Sequence, residues 1–370
     1  MTTNDEPIRT SGDISEDWVL LGGSTASPGP TPGQLPVEVP EHEEHEGDDD
    51  DDGDYDSTFE SSPSSTASIT SSICQYRTIH GRQYHSDKWD YGYCFPIDQQ
   101  QLDAQDLSDF AARELLGGEL HLADLGKAEK PIQRVLDVGS GKGYWAIEFA
   151  DDHHDMKVIG TDLSPIGETW VPPNLCFEIE DCRQDWTFAD SRFDFIHMRH
   201  LVGGIKDWNH LYGQAFRCAS PGGLIESHER SFIFQSDNKS IEPKSPLARM
   251  GNIFKEAGGK TGCSFTIVDD GVQRKHIEEA GFVVVKEEVK RMPISKKHND
   301  PELQKISVIA YEALLYDLEG CLLYVATQVL EWSKDETHLF AMEVRKQLKQ
   351  MDVYIDHRIV VGRKPSSSSD

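Results

Sequence analysis

Residues 135–143 read Val135-Leu136-Asp137-Val138-Gly139-Ser140-Gly141-Lys142-Gly143, a mostly apolar run followed by three closely spaced glycines. The first residues of this stretch predict an apolar strand, and its three glycines predict a tight turn that leads into a helix. Glycines in such a turn let a ligand lie against bare backbone, while the free N–H groups at a helix start attract a carboxylate or phosphate. The stretch therefore predicts an α/β domain with a ligand site at this turn.

Short β-branched runs alternate with helical stretches from about residue 131 onward. This alternation predicts βα units over a mostly parallel sheet, so the expected fold class is α/β. Helical periodicity also covers residues 302–350. The predicted strands lie near 133–138, 156–161, 175–179, 193–198, 223–229, 281–289 and 353–361, and further helices are predicted at 143–151, 207–219 and 270–280.

Acidic residues stand at the ends of three successive predicted strands. Asp162 ends the second strand, where a carboxylate can accept hydrogen bonds from both hydroxyls of a ribose. The run Glu180-Asp181-Cys182 follows the third strand, where a carboxylate can accept from the exocyclic amine of adenine. Asp137 can pair with an amino group of the ligand. Together with the glycine turn, these acids predict a nucleoside-type ligand.

The spacing of the glycines favours a methyl donor over a dinucleotide. A dinucleotide site wants G-x-G-x-x-G, but position 144 is Tyr144, and the pattern is G-x-G-x-G with an acid two residues before the first glycine. A nicotinamide-dependent oxidoreductase remains the less favoured alternative. The predicted cofactor-binding residues are Asp137, Gly139, Ser140, Gly141, Gly143, Asp162, Asp181 and Cys182, and the predicted cofactor is S-adenosyl-L-methionine.

The net charge of −29 is unevenly distributed along the 370 residues. Residues 1–72 hold eighteen Asp and Glu against Arg9 alone, a net of −17, and they contain few apolar residues. This composition predicts a disordered acidic tail. The remaining −12 disfavours nucleic acid as a partner, because an acidic surface repels phosphates. Seven cysteines without a C-x-x-C pair indicate a reducing compartment, and no apolar run is long enough to span a membrane.

Several short motifs, in order, resemble the class I S-adenosylmethionine-dependent methyltransferases, and specifically the fungal LaeA-like group. The resemblance covers roughly residues 73–364. Besides the glycine turn, it rests on residues 81–85 (Gly-Arg-Gln-Tyr-His), 193–199 (Phe-Asp-Phe-Ile-His-Met-Arg), 207–208 (Asp-Trp), 214–217 (Gln-Ala-Phe-Arg), 220–226 (Ser-Pro-Gly-Gly-Leu-Ile-Glu), 332–333 (Trp-Ser), 344–345 (Val-Arg) and 361–365 (Val-Gly-Arg-Lys-Pro).

This resemblance implies a Rossmann-like, seven-stranded sheet with helices on both faces, whose last strand, near 353–361, is antiparallel. It also implies that the helices of residues 302–350 form a cap over the substrate site. The expected division is a tail at 1–72, the methyltransferase domain at 73–364 and a polar tail at 365–370. Residues 98–106 depart from the acidic, Arg and His pattern of the group, so no donor contact is assigned to the first helix.

Methyl transfer is an in-line displacement, for which the enzyme mainly holds donor and acceptor in line. A general base is needed only where the acceptor arrives protonated, and the candidates are His200 and His228. Residues 197–200 read His-Met-Arg-His where exocyclic-amine methyltransferases carry Asn-Pro-Pro-Tyr, which disfavours nucleobase and glutamine amide acceptors. A small-molecule or protein acceptor is expected, and a regulatory protein that binds the donor and acts through partners is the alternative.

The remaining sequence features concern partners, metals and location. Trp18 and Leu21 follow acidic residues in the tail and resemble a motif that binds ubiquitin-like proteins by strand addition. The two histidines of residues 41–46 are one residue too close for an H-E-x-x-H zinc helix, and no metal site is predicted. A location in the cytoplasm or nucleus is expected.

Overall fold

The computed structural model describes residues 75–86, 93–168 and 170–366, and the structural statements below concern these residues. The tail of residues 1–72, with Trp18, Leu21 and the histidines of residues 41–46, lies outside the described residues, as do the last residues of the polar tail. Among the helices of the described part, none has the length and apolar character needed to cross a membrane.

The described part consists of nine strands and eight α-helices. The strands are β1 (Arg77–Ile79), β2 (Arg82–Tyr84), β3 (Arg134–Val138), β4 (Lys157–Asp162), β5 (Leu175–Ile179), β6 (Phe193–Arg199), β7 (Ala219–Arg230), β8 (Val283–Ile294) and β9 (Val353–Arg363). The helices are α1 (Gln99–Leu115), α2 (Tyr144–Asp152), α3 (Trp208–Cys218), α4 (Pro246–Thr261), α5 (Val272–Glu279), α6 (Pro301–Tyr316), α7 (Leu318–Tyr324) and α8 (Lys334–Leu348), and a π-helical turn (Val325–Val329) follows α7.

Seven strands form one sheet in the order β5-β4-β3-β6-β7-β9-β8. The strands from β5 to β7 pair in parallel, and β9 pairs antiparallel to both β7 and β8. The prediction of a seven-stranded α/β sheet with an antiparallel last strand is confirmed. The chain turns back between β3 and β6, and open α/β sheets bind ligands at such a switch point.

The central strands β3 and β6 are buried along almost their whole length, and apolar residues predominate in them beside the buried polar residues Asp137, Asp194 and His197. The edge strand β8 is different, since most of its residues outside the last three are exposed or half-buried and include Lys and Glu. Charges on an edge strand oppose pairing with a second chain.

The structure contains three elements that were not predicted from residue patterns: the β1–β2 hairpin, α1 and α4. Sequence signals for α4 were present, because Ser245 caps it, Pro246 occupies its first turn and Gly262 ends it at a φ of 79°. The helix α1 is harder to recognise, because its N-cap, Asp98, precedes three glutamines rather than an apolar pattern.

The helices between β8 and β9 pack against α1 and α4 and form a second core with the ends of β8 and β9. Arg82 joins this cap to the hairpin and to α1. Its guanidinium donates to Asp98 on one side and to Asp317, the N-cap of α7, on the other, at 2.6 to 2.7 Å. Residues 81–85 thereby fasten the cap to the α/β domain.

Candidate functional site

A pocket of about 790 Å³, counting its open mouth, lies beyond the carboxyl ends of β3, β4, β5 and β6. It is therefore located at the switch point of the sheet. Six of the predicted site residues line it: Gly139, Gly141, Asp162, Asp181, Cys182 and His200.

The three glycines of the turn have positive φ angles but different surroundings. A Cβ at Gly139 would lie 2.5 Å from Leu201 Cδ2, and one at Gly143 would lie 2.1 Å from Phe177 Cζ. A Cβ at Gly141 would meet only a side-chain nitrogen of α1, at 3.6 Å. The Phe177 ring therefore requires glycine at 143, the end of the Leu201 side chain disfavours a Cβ at 139, and Gly141 presents bare backbone to the pocket.

The predicted residues Ser140 and Gly143 support the turn and do not line the pocket. The Ser140 N–H donates to Thr161 O at 2.9 Å, which joins the turn to β4. Gly143 is the N-cap of α2 and its N–H donates to Ser140 O. These contacts fix the turn in the shape that exposes Gly141.

Asp137 lies on β3 beneath the turn, is buried and does not line the pocket. Its Oδ1 lies 2.7 Å from Nδ1 of His197 on β6, whose ring stacks on Trp145 at a centroid distance of 3.8 Å. Burial raises the pKa of Asp137 to about 7 and lowers the pKa of His197 well below its ordinary value. The structure thus pairs Asp137 with a buried neutral imidazole.

The same face of the sheet holds the one group in the described part with the spacing of metal ligands. His197, Glu226 and His228 bring ligand atoms within 4.8 Å of one another, and all three are buried. Glu226 already accepts hydrogen bonds from the N–H groups of Leu122 and Ala123 and pairs with His228 Nε2. The carboxylate is therefore engaged by partners within the protein.

Asp162 ends β4 at the centre of the pocket. Its Oδ2 accepts from the Gly141 N–H at 2.9 Å, and its Oδ1 accepts from the Ser164 N–H at 3.2 Å. Each oxygen keeps a lone pair, because a carboxylate offers about four acceptor sites. Burial raises the pKa of Asp162 above its ordinary value, so an additional donor in the pocket would relieve an unfavourable environment for the carboxylate.

The residues after β5 form the other side of the pocket. Asp181 is buried and accepts two hydrogen bonds from the Arg183 guanidinium, at 2.7 and 2.9 Å. Burial raises the pKa of the Cys182 thiol to about 12, which keeps it protonated and unreactive. Glu180 accepts from the Thr187 N–H at 2.7 Å and also lines the pocket.

His200 lines the pocket, whereas His228 does not. His200 has a φ of 58°, a value that few residues other than glycine adopt, and its N–H donates to His228 O at 2.9 Å. Its Nδ1 lies 3.3 Å from Asp109 Oδ1, and its Nε2 has no hydrogen-bond partner in the described part of the chain. Burial lowers the pKa of His200 to about 4, so the imidazole is neutral near pH 7.

Several pocket residues were not predicted. Nδ1 of His85 forms a hydrogen bond of 2.6 Å with Ser164 Oγ, and the Tyr93 ring lies edge-on to the His85 ring. Leu102 and Gln105 of α1 also line the pocket, so the first helix does contribute to it. The motif of residues 81–85 was a signal for His85, but nothing local assigns residues of α1 to a site beyond β3.

A second cavity adjoins this pocket beneath the cap helices. It has a volume of about 780 Å³ with its mouth, and Gln105 lines both spaces. His357 on β9 lines the second cavity, and its ring meets the His200 ring edge-on at 5.6 Å. The two histidines therefore lie at the boundary between the two spaces.

Comparison with known proteins identifies the family of the chain. A family model described as a methyltransferase domain matches residues 107–287. The methyltransferase pytC of Aspergillus terreus is 31% identical over 296 residues, which are 79% of this chain and 89% of that protein. The protein-methionine methyltransferase laeA of Emericella nidulans is 27% identical over 295 residues, which are 79% of this chain and 77% of that protein.

Among solved structures, phosphoethanolamine N-methyltransferase 2 of Haemonchus contortus, in complex with phosphomonomethylethanolamine and S-adenosylhomocysteine, is 19% identical. Its TM-score is 0.43, and the match covers 74% of this chain and 60% of that chain. Because this chain is 31% identical to pytC over more than two thirds of both chains, it belongs to the S-adenosylmethionine-dependent methyltransferases that include the LaeA-like proteins.

Proposed function

We propose that the enzyme binds S-adenosylmethionine in the pocket at the glycine turn and methylates an acceptor held in the second cavity. One observation carries the proposal. A single pocket gathers the bare backbone of Gly141 with the acids that end two neighbouring strands, Asp162 and Asp181. This matches a ligand with a ribose and an adenine, since carboxylates accept from hydroxyl and amine groups.

The residues of the pocket have distinct roles in this proposal. Asp162 accepts from the ribose hydroxyls with the lone pairs that Gly141 and Ser164 leave free. Glu180 and Asp181 lie beside the adenine, where Arg183 holds Asp181 in a fixed orientation. Gly141 lets the methionine part of the donor approach the backbone. Asp137 acts indirectly, because its pairing with His197 anchors β3 beneath the turn.

When bound, the donor supplies an electrophilic methyl group on a sulfonium. The chain contributes mainly position, since holding two reactants in line accounts for about 7–11 kcal/mol of a barrier. His200 lies at the boundary of the two spaces, but an imidazole whose pKa is about 4 is a weak base. Acceptors with no proton to lose, such as carboxylates and thioethers, therefore suit this site best. His228 supports the backbone of His200 from outside the pocket.

Calorimetric titration of the full chain with S-adenosylhomocysteine tests the donor site. The native protein is expected to bind it, while NAD, which requires a different turn, is expected to give no heat. Asp162→Ala is expected to weaken binding at least tenfold, because each hydrogen bond to a charged group contributes about 1.5–3 kcal/mol. Asp155→Ala, an exposed aspartate before β4, is the matched control and is expected to bind normally.

A radiolabelled methyl donor then separates an enzyme from a regulator that only binds. The native protein is expected to transfer label to a small molecule or protein of a cell extract. Asp162→Ala is expected to transfer none. Equal binding by native protein and Asp162→Ala, or a preference for NAD, would refute the proposed donor site. Donor binding without transfer to any fraction of the extract would instead favour the regulatory alternative.

A further inference from the structure

The second cavity is lined mainly by apolar side chains. It lies between α1, α4, α6 and the ends of β7, β8 and β9, and its apolar lining includes Phe232, Phe234, Met250, Met292, Ile294 and Leu314. Methionines and aromatic rings adapt to flat or irregular apolar ligands. The cavity is therefore suited to an apolar molecule rather than to a sugar or a nucleotide.

One cation, Arg230 at the end of β7, faces this apolar space. Its Nη1 donates to Ser108 Oγ at 2.9 Å, and its guanidinium lies 5.6 Å from the centre of the Phe232 ring. No carboxylate of the described residues forms a salt bridge with it, although Asp109 and the buried Glu229 interact with it electrostatically at longer range. Its neighbour Arg199, in contrast, pairs with Asp109 at 3.0 Å. A half-buried guanidinium beside apolar side chains, without a directly paired carboxylate, would gain a charge-assisted hydrogen bond from an anionic ligand.

One buried polar atom of the cavity lining has no hydrogen-bond partner among the described residues. Gln101 of α1 is 6% exposed and lines the cavity, and its Oε1 accepts no hydrogen bond from any residue that the structure describes. Buried carbonyl oxygens are usually paired, so an unpaired one beside a cavity indicates a place for a donor from a ligand. The cavity thus offers one cation and one acceptor within an apolar lining.

We propose that this cavity binds an apolar small molecule that carries a carboxylate, with Arg230 pairing with the carboxylate and Gln101 accepting from a hydroxyl or N–H of the same molecule. A carboxylate fits better than a phosphate dianion, because Arg230 is one positive charge and Asp109 already neutralises Arg199. The inference rests on the proposed function in one respect, namely that the bound acid is the methyl acceptor. Gln105 and the His200–His357 contact place it beside the donor pocket.

Two probes of the same shape test this proposal: 2-naphthoate, which is anionic at pH 7.5, and 2-naphthamide, which is neutral. Titrated calorimetrically into the full chain, naphthoate is expected to bind about tenfold more tightly, the effect of one charge-assisted hydrogen bond. Arg230→Gln is expected to remove this preference and to leave naphthamide binding within about twofold. Arg230→Lys, which keeps the positive charge, is expected to retain most of the preference for naphthoate.

Two controls make the result specific. Arg291→Gln, an exposed arginine that pairs with Asp237 outside the cavity, is expected to change neither affinity. Saturation with S-adenosylhomocysteine is expected to leave naphthoate binding intact, and normal S-adenosylhomocysteine binding by each variant shows that it is folded.

Equal affinities for the two probes, undiminished naphthoate binding by Arg230→Gln, or displacement of naphthoate by S-adenosylhomocysteine would each overturn the inference. A failure of S-adenosylhomocysteine to bind the native protein counts against the donor site alone. Naphthoate binding that depends on Arg230 would stand in that case, so the two proposals fail separately.

Discussion

Alanine substitutions at Gly141 and Gly143 separate two reasons for glycine in the same turn. Both positions have positive φ, at 58° and 85°, which costs an alanine about 1–2 kcal/mol in the left-handed region. At Gly143 the new Cβ would also lie 2.1 Å from Phe177 Cζ, and overpacking of this kind costs about 1–3 kcal/mol more. Gly143→Ala is therefore expected to lower the free energy of unfolding by about 2–5 kcal/mol, and Gly141→Ala by about 1–2 kcal/mol.

For donor binding the order of the two effects is expected to be reversed, with Gly141→Ala having the larger effect on affinity. The Cβ of Gly141→Ala has room within the protein, since its nearest neighbour is 3.6 Å away, but it occupies the space where the donor approaches the backbone. Gly141→Ala is thus expected to weaken S-adenosylhomocysteine binding at least tenfold in calorimetry, while the free energy of unfolding falls only by the backbone term of about 1–2 kcal/mol. Gly143→Ala is expected to lose stability first.

A double variant checks the assigned cause. Phe177→Leu removes the ring atoms that the new Cβ would meet, so Gly143→Ala in that background is expected to cost only the backbone term of about 1–2 kcal/mol. Denaturant unfolding of the four proteins of this cycle gives the coupling energy. The reasoning is refuted if the cost of Gly143→Ala is the same with and without Phe177, or if Gly141→Ala destabilises the fold as much as Gly143→Ala.

Three further predictions concern the cap and the buried titratable groups. Arg82→Ala is expected to lower the free energy of unfolding by about 3–5 kcal/mol, because it leaves the buried Asp317 carboxylate unpaired. The control Arg249→Ala, which breaks an exposed ion pair, is expected to cost less than about 1 kcal/mol. Similar losses for the two variants in denaturant unfolding would contradict the role of Arg82 in fastening the cap. Burial raises the pKa of Glu229 to about 8, so its contribution to stability is present at low pH and is lost as pH rises toward 8. Between pH 5 and 8 the free energy of unfolding of the native protein is expected to fall by roughly 1.4 kcal/mol per pH unit more than that of Glu229→Gln. Parallel slopes for the two proteins would exclude the raised pKa. His200→Asn is expected to reduce turnover less than about tenfold and to leave the pH profile of turnover unchanged between pH 5 and 8, because the imidazole is already neutral there. A loss of turnover above about a hundredfold would identify His200 as a general base.

Residue patterns were sufficient to predict the sheet and part of the lining of the candidate pocket. Strand periodicity and glycine turns are local properties, so all seven sheet strands were predicted near their observed positions. Acids that end neighbouring parallel strands necessarily meet at one edge of a sheet, which is why Asp162 and Asp181 line one pocket as expected. The antiparallel direction of β9 came from the family resemblance rather than from a local pattern.

Local residue patterns were thus enough to predict the α/β fold, the glycine turn and the acids beside it. Three contacts could be seen only in the folded chain: the Phe177 ring requires Gly143, Asp137 pairs with His197 below the pocket, and Arg230 faces an apolar cavity whose described lining contains no carboxylate. These contacts could not be predicted because their partners are far apart along the chain. Strands, turns and caps depend on neighbouring residues, whereas each of these contacts depends on where a segment tens to hundreds of residues away packs in the fold.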